Sequence, residues 1–177
     1  MAYTILYIAT SADGFIADKN GGLDWLPQEA IPGEDYGFEL LIQSIDAIAQ
    51  GSTTFLQTIS FIESGPIPDL PYGGKPMYVF TRRARTSPRA DVTFISDIQE
   101  YHKKLQMHSE IKRVWLVGGA ETICTFKEHD LIDECIITII PTKIYDGIAL
   151  PTHTFDDMQE ISSHQYPSGI QQKIYIK

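Results

Sequence analysis

Cysteine is scarce in this 177-residue chain, Cys124 and Cys135 being the only two. Both fall in stretches that read as regular structure, a helix and a strand. They are expected to be buried thiols acting as small apolar side chains rather than a disulfide. The five histidines (His102, His108, His129, His153, His164) are scattered, and none pairs with a cysteine or carboxylate at a metal-ligand spacing, so no metal site is expected. Positive charge is short too: 14 Lys and Arg against 23 Asp and Glu give a formal net charge of −9. That balance speaks against non-specific binding to nucleic acid or to an anionic membrane, both of which need a basic surface. It leaves room for an anionic cofactor, which a few local cations and backbone amides can hold. No apolar run approaches the length of a membrane span. The first residues lack the basic and then apolar pattern of a secretory signal, so a cytoplasmic protein is the expectation. The six-residue glycine fingerprint of dinucleotide-binding folds, the phosphate-binding P-loop and the nucleophile elbow of hydrolases are all missing.

What is present is the composition of a folded domain, 43% hydrophobic and 21% charged, of a length suited to one domain over residues 1–177. Residues 4–9 are almost wholly apolar and rich in strand formers, the signature of a strand buried on both faces of a mostly parallel sheet. A turn (11–14), a short apolar step (15–17) and a glycine-rich loop (18–22) follow. Phe38, Leu41, Ile42 and Ile45 recur at three- and four-residue steps and predict a helix over 35–45, with Asp35 in its first turn. Further strands are predicted over 47–49, 75–80, 92–95, 113–117 and 134–140. Helices are predicted over 52–61, where Ser52 suits the cap, and over 97–108 and 120–127. Residues 64–74 read as a proline- and glycine-rich surface loop, and the stretch from 141 to 151 as another. Segments 161–166 and 170–176 flank Pro167-Ser168-Gly169 as a terminal hairpin. Alternating strands and helices closed by an antiparallel pair predict a three-layer α/β fold with a mostly parallel central sheet.

In open α/β sheets ligands bind beyond the carboxyl ends of the strands. Four such ends carry suggestive residues: Ala9-Thr10, Gly51-Ser52-Thr53-Thr54, Thr81-Arg82-Arg83 and Gly118-Gly119-Ala120. A strand that ends in Gly-Gly and turns straight into a helix lets a ligand approach the backbone, and the free helix amides and dipole favour a pyrophosphate. On the dipeptide alone, a tight turn with no ligand fits as well. Gly51 to Thr54 is a second junction of the same kind, readable also as a plain helix cap. Arg82 and Arg83, followed by Arg85 and Arg89, form the chain's main basic cluster, and an arginine fork suits a phosphate monoester. Asp35 is placed near the mouth of a cleft lined by Trp25 and Phe38. There a carboxylate can hold the amide and amino edge of a heterocycle or assist protonation, although a helix-end acid facing the dipole is the simpler reading of the residues alone.

Taken in order, YIATSADGFIA from Tyr7, LDW from Leu23, the helix from Asp35, GSTTF from Gly51, VFTRR from Val79, VGGAETI from Val117 and ITIIP from Ile137 resemble the dihydrofolate reductase superfamily. The likeness is closest to the bacterial branch that includes the C-terminal reductase domain of the riboflavin-biosynthesis deaminase/reductase, RibD. It runs from Tyr3 to the terminal hairpin. It implies a dihydrofolate reductase-like fold and a reductase that moves hydride from NADPH, with NADH as the alternative, to a pteridine- or pyrimidine-like substrate. Ala9, Thr10 and Ala17 resemble the residues flanking the nicotinamide. Gly51, Thr53 and Thr54 resemble the dinucleotide phosphate turn. Thr81, Arg82 and Arg83 resemble the contacts to the adenosine 2′-phosphate. Gly118 and Gly119 match a glycine pair that the family often joins by a cis peptide, and Ala120, Glu121 and Thr122 open the helix against the pyrophosphate. On the substrate side, Asp35 stands sixteen residues before Gly51, the separation of the family's active-site acid. Trp25 matches a tryptophan near the substrate, and Thr138 the threonine that supports the acid. Ser52 departs from the basic residue usual in the phosphate turn. The resemblance also implies a homodimer, for which the hairpin offers a surface. Rival readings are a reductase of the same fold acting on an unrelated small ketone or imine, and a dinucleotide-binding module without catalysis.

Overall fold

The computed structural model describes residues 2–27, 33–65, 69–70, 72–83, 85–87 and 89–177. Strand β1 (Tyr3–Ser11) lies in the middle of an eight-stranded sheet, as its apolar run requires. It pairs in parallel with β6 (Arg113–Gly118) and β7 (Glu134–Ile140). Beyond β6 come β3 (Ala47–Gly51), β4 (Met77–Phe80) and β5 (Val92–Ile95), all parallel. Beyond β7, β10 (Gln171–Ile176) and β9 (Gln159–Gln165) pair antiparallel and close the order β5-β4-β3-β6-β1-β7-β10-β9. The fold is thus an α/β three-layer arrangement around a mostly parallel sheet.

The two-residue period of the strands divides the core between two faces. On one, Leu6, Ala47, Ala49, Leu116 and Ile137 pack beneath α3 (Ile98–Met107) and α4 (Ala120–Glu128) through Ile98, Tyr101, Ile123 and Phe126. On the other, Ile5, Ile48, Val79 and Trp115 pack beneath α1 (Phe38–Ser44) and α2 (Ser52–Ser64) through Leu41 and Phe55. Asp97 caps α3 by accepting from the Glu100 amide at 2.8 Å.

Several expectations need correction. The first helix begins at Phe38 rather than at Asp35, because Tyr36 (φ 56°) and Gly37 (φ 82°) both take the left-handed conformation, which a right-handed helix cannot include. Gly51, not Ser52, stands at the cap of α2, and no side chain caps it. Cys135 is buried in β7, but Cys124 is exposed: its neighbours Ile123 and Phe126 take the sheet-facing side of α4. The stretch after Pro141 is not all loop, since β8 (Gly147–Ala149) pairs antiparallel with β2 (Phe15–Asp18). Three residues are too few to show a period. Among the described residues no helix is long and apolar enough to cross a membrane.

Candidate cofactor groove and active site

The carboxyl ends of β3 and β6 lie side by side, with Gln50 in register with Gly118. Each strand runs directly into a helix, and the two caps, Gly51 and Gly119, carry no side-chain hydrogen bond. The first amides of α2 and α4 therefore lack the side-chain cover that a serine or aspartate cap gives, and both helix dipoles present their positive ends at one edge. The junctions pack so closely that a Cβ on Gly51 would lie 2.6 Å from Thr122 Oγ1, and one on Gly119 3.4 Å from Thr54 Oγ1. The Gly118–Gly119 peptide is cis. Gly51, Thr54, Gly118, Gly119 and Thr122 thus form one cradle of backbone and hydroxyls, flanked by Thr53, Ala120 and Glu121. A diphosphate is the ligand such a surface suits. Glycine at 51 is what lets the two helix starts pack this closely, and the backbone amides gathered there are donors of the kind a diphosphate needs.

Thr81, Arg82 and Arg83 follow β4, which neighbours β3 on the far side from β6. Arg82 Nη2 donates to Glu121 Oε2 at 3.0 Å and to Oε1 at 3.2 Å, both side chains being 85% exposed. Since β3 lies between β4 and β6 in the sheet, this pair joins the end of β4 to the start of α4, two positions that flank the β3 strand end. The Arg83 amide donates to Thr81 Oγ1 at 3.2 Å and shapes the loop. Arg89 does not share the groove: Asp91 and Asp69 hold its guanidinium.

At the end of β1, Ala9 is in register with Thr138, so their side chains share the α1 and α2 face. Thr10, in register with Ile139, faces the other way and lines a pocket of about 190 Å³ with Ile137, Ile139, Phe155 and Tyr175. The two threonines therefore do not converge, and only the backbone of Thr10 borders the Ala9 side. Ala17 is buried in β2, and its carbonyl is packed against Gly147, where a Cβ would come within 2.3 Å of it.

Four polar groups converge near Ala9. Gln172 Nε2 donates to the Tyr36 carbonyl at 2.7 Å and to Thr138 Oγ1 at 3.0 Å. Tyr7 Oη donates to the same carbonyl at 3.1 Å. Burial pushes the Tyr7 phenol up to about 12, against a smaller lowering by a hydrogen bond from Thr138. The Tyr7 ring packs on Phe38 and Trp115, and the Trp115 indole donates to the Tyr7 carbonyl at 3.1 Å. Glu34 ties the same segment to the hairpin turn, its carboxylate accepting from the Ser168 hydroxyl at 2.6 Å and from Tyr36 Oη at 3.0 Å. Asp35 is exposed. Its two oxygens accept from the Gly37 amide at 3.0 Å and the Glu39 amide at 3.2 Å, and these bonds hold its carboxyl below the usual range. Thr138 accepts from Gln172 and hydrogen-bonds the Tyr7 phenol, so among the described residues its partners are these rather than Asp35. Trp25 is half-buried, and its Nε1 is enclosed with no hydrogen-bond partner among the described residues.

Sequence reasoning missed Tyr7, Gln172 and the Glu34–Ser168 bond. Tyr7 stands two residues before Ala9, so it shares a strand face with it, and a tyrosine within an apolar strand was a readable signal. Nothing local marks Gln172, whose Nε2 acceptors on Tyr36 and Thr138 lie more than thirty residues away in the chain.

Residues 2–171 match the family of the RibD C-terminal domain. Two proteins of Bacillus subtilis (strain 168), both uncharacterized, are similar. YwjB is 35% identical over 147 residues, covering 83% of this chain and 81% of YwjB. YyaP is 29% identical over 179 residues, covering 97% of this chain and 93% of YyaP. Among solved structures, a protein of Shewanella sp. PV-4 provisionally named for riboflavin biosynthesis superposes with a TM-score of 0.83 at 30% identity, covering 99% of this chain and 98% of that one. A diaminohydroxyphosphoribosylaminopyrimidine deaminase/5-amino-6-(5-phosphoribosylamino)uracil reductase of Thermotoga maritima superposes with a TM-score of 0.71 at 13% identity. That match covers 99% of this chain but 57% of the Thermotoga protein, and it shows a shared fold.

Proposed function

The chain belongs to the RibD C-terminal domain family, and from that premise we propose that it is a reductase that uses a nicotinamide dinucleotide, NADPH in the first place, on a pyrimidine- or pteridine-like heterocycle. The observation that carries this reading is the cradle at Gly51 and Gly119. There two uncapped helix N-termini meet at a backbone kept bare of Cβ atoms. When bound, the cofactor would supply hydride for a C=N or C=C bond.

The chain's own residues would bind, orient and exclude water. Amides at the starts of α2 and α4, with Thr54 and Thr122, would hold the diphosphate. Thr53 and Ala120 would border it, and Thr81, Arg82 and Arg83 would face the adenosine ribose. Ala9 and Ala17, both small, would flank the nicotinamide, with the backbone of Thr10 beside it. The Tyr7–Thr138–Gln172 group would wall the substrate side, with Trp25 at its border. Asp35 would accept from a ligand N–H rather than give up a proton, because its lowered carboxyl stays ionised near neutral pH.

One observation favours a second reading. Asp35 is exposed and already caps the start of α1, which suits a reductase of the same fold acting on an unrelated small ketone or imine. The experiment common to both readings is a titration of the protein with NADPH and NADH, followed by tryptophan fluorescence. Saturable binding supports the cofactor assignment, and turnover across a panel of pyrimidines, pterins and simple imines then separates the substrates. Absence of binding by both nucleotides overturns the reductase reading.

A further inference from the structure

The geometry points to Glu121 as the residue that sets how strongly this groove discriminates a 2′-phosphorylated dinucleotide from its unphosphorylated counterpart, an inference that rests on the cofactor reading above. Three observations carry it. Glu121 stands in the first turn of α4, where the dipole already favours a negative group. Its two oxygens hold Arg82 Nη2 at 3.0 and 3.2 Å. The pair also joins the carboxyl end of β4 to the start of α4, with β3, the strand that ends at Gly51, between β4 and β6 in the sheet.

The consequence follows from charge. Arg82 is the arginine in this groove whose partner is fixed, and that partner is a carboxylate. Arg89 is taken by Asp69 and Asp91, and Ser52 offers no cation at the start of α2. A 2′-phosphate that engages Arg82 at this edge draws it away from Glu121 and then sits beside a carboxylate. A ribose 2′-hydroxyl meets no such penalty, since it can donate to that carboxylate while Arg82 stays in place. Glu121 thus competes with the 2′-phosphate for one guanidinium. Both groups are solvated, so the competition is moderate. Exposed pairs contribute at most about 1 kcal/mol, or about fivefold in affinity.

The test compares wild type, Glu121→Gln and Arg82→Ala by fluorescence titration with NADPH and NADH, and by displacement of bound NADPH with adenosine 2′-monophosphate. Thermal melting checks that each variant is folded. Glu121→Gln keeps the size of the side chain, removes its charge and frees Arg82. It is expected to tighten NADPH and adenosine 2′-monophosphate about three- to fivefold while leaving NADH within about twofold. Arg82→Ala is expected to weaken the two 2′-phosphorylated ligands and spare NADH. An NADPH-to-NADH affinity ratio unchanged by Glu121→Gln, in a protein that binds both, overturns this inference and leaves the cofactor assignment intact. Failure of wild type to bind either nucleotide overturns both.

Discussion

Gln172 and Thr138, thirty-four residues apart on the paired strands β10 and β7, share a 3.0 Å hydrogen bond in which the glutamine amide is the donor. The same nitrogen donates to the Tyr36 carbonyl at 2.7 Å, so one side chain fixes both the threonine and the segment that carries Asp35. Gln172→Leu takes both donors away and leaves the partly buried carbonyl with Tyr7 alone. The expected cost is about 1–3 kcal/mol of unfolding free energy, read from urea denaturation. Any substrate turnover should fall as well, because the Tyr36 segment loses its tether to the sheet. A variant as stable as wild type would show that the bond is incidental.

This network also marks how far the sequence could be read. The apolar run of β1 and the alternation of strands and helices were legible because burial on one or two faces leaves a local period. The glycine junctions were legible because closely packed strand ends leave no room for Cβ atoms. The Tyr7–Tyr36–Thr138–Gln172 group was not, since it is assembled across strand pairings that no local pattern encodes. The start of α1 was misread for a related reason. The apolar spacing extends back from Ile45 to Phe38, but the left-handed Tyr36 and Gly37 stop it there, and Asp35 becomes the residue that caps from outside. The short β2–β8 pair falls below the length at which a strand shows a period.

Alkaline pH should unfold the protein through groups that burial keeps protonated. Burial pushes Tyr7 from 10.0 to about 12 and Cys135 from 9.0 to about 12, and it raises Tyr78 and Tyr101 as well. A folded-state value above the unfolded one means that the native state binds the proton more tightly. The stability these groups lend is whole below pH 9 and is lost as pH rises from there toward 12. The urea midpoint should therefore fall steadily from pH 9 to pH 11. Tyr7→Phe should be less stable than wild type at pH 8, having lost its bond to the Tyr36 carbonyl, yet decline less steeply above pH 10. An unchanged slope in that variant would remove Tyr7 from the account.

Gly51→Ala tests the cradle by filling it. The new methyl would lie 2.6 Å from Thr122 Oγ1, and overpacking of this kind costs about 1–3 kcal/mol. Dinucleotide affinity is expected to fall about tenfold, equivalent to about 1.4 kcal/mol, since the two helix starts are pushed apart. If the cause is steric, Gly51→Ala combined with Thr122→Ala should regain the lost melting temperature and part of the lost affinity. A double variant no better than the single one would place the damage in the backbone at residue 51 instead.

Asp35 separates capping from recognition through the choice of replacement. Its carboxyl is held below the usual range first by the Gly37 amide and then by the Glu39 amide. A depressed value means that the stabilisation is present above about pH 4 and fades as pH falls through the folded-state value. Asparagine still accepts from helix amides, so Asp35→Asn should melt close to wild type at pH 7, whereas Asp35→Ala should melt lower. At acid pH, below the ordinary carboxyl value of about 4, the gap between wild type and Asp35→Ala should narrow, because the unfolded chain then takes up a proton that the folded carboxyl resists. If the carboxylate also grips the edge of a heterocycle, Asp35→Asn loses turnover at full stability and KM rises. If turnover survives in Asp35→Asn, the acid serves the helix alone, and the substrate is to be sought among small ketones and imines that need no anionic partner.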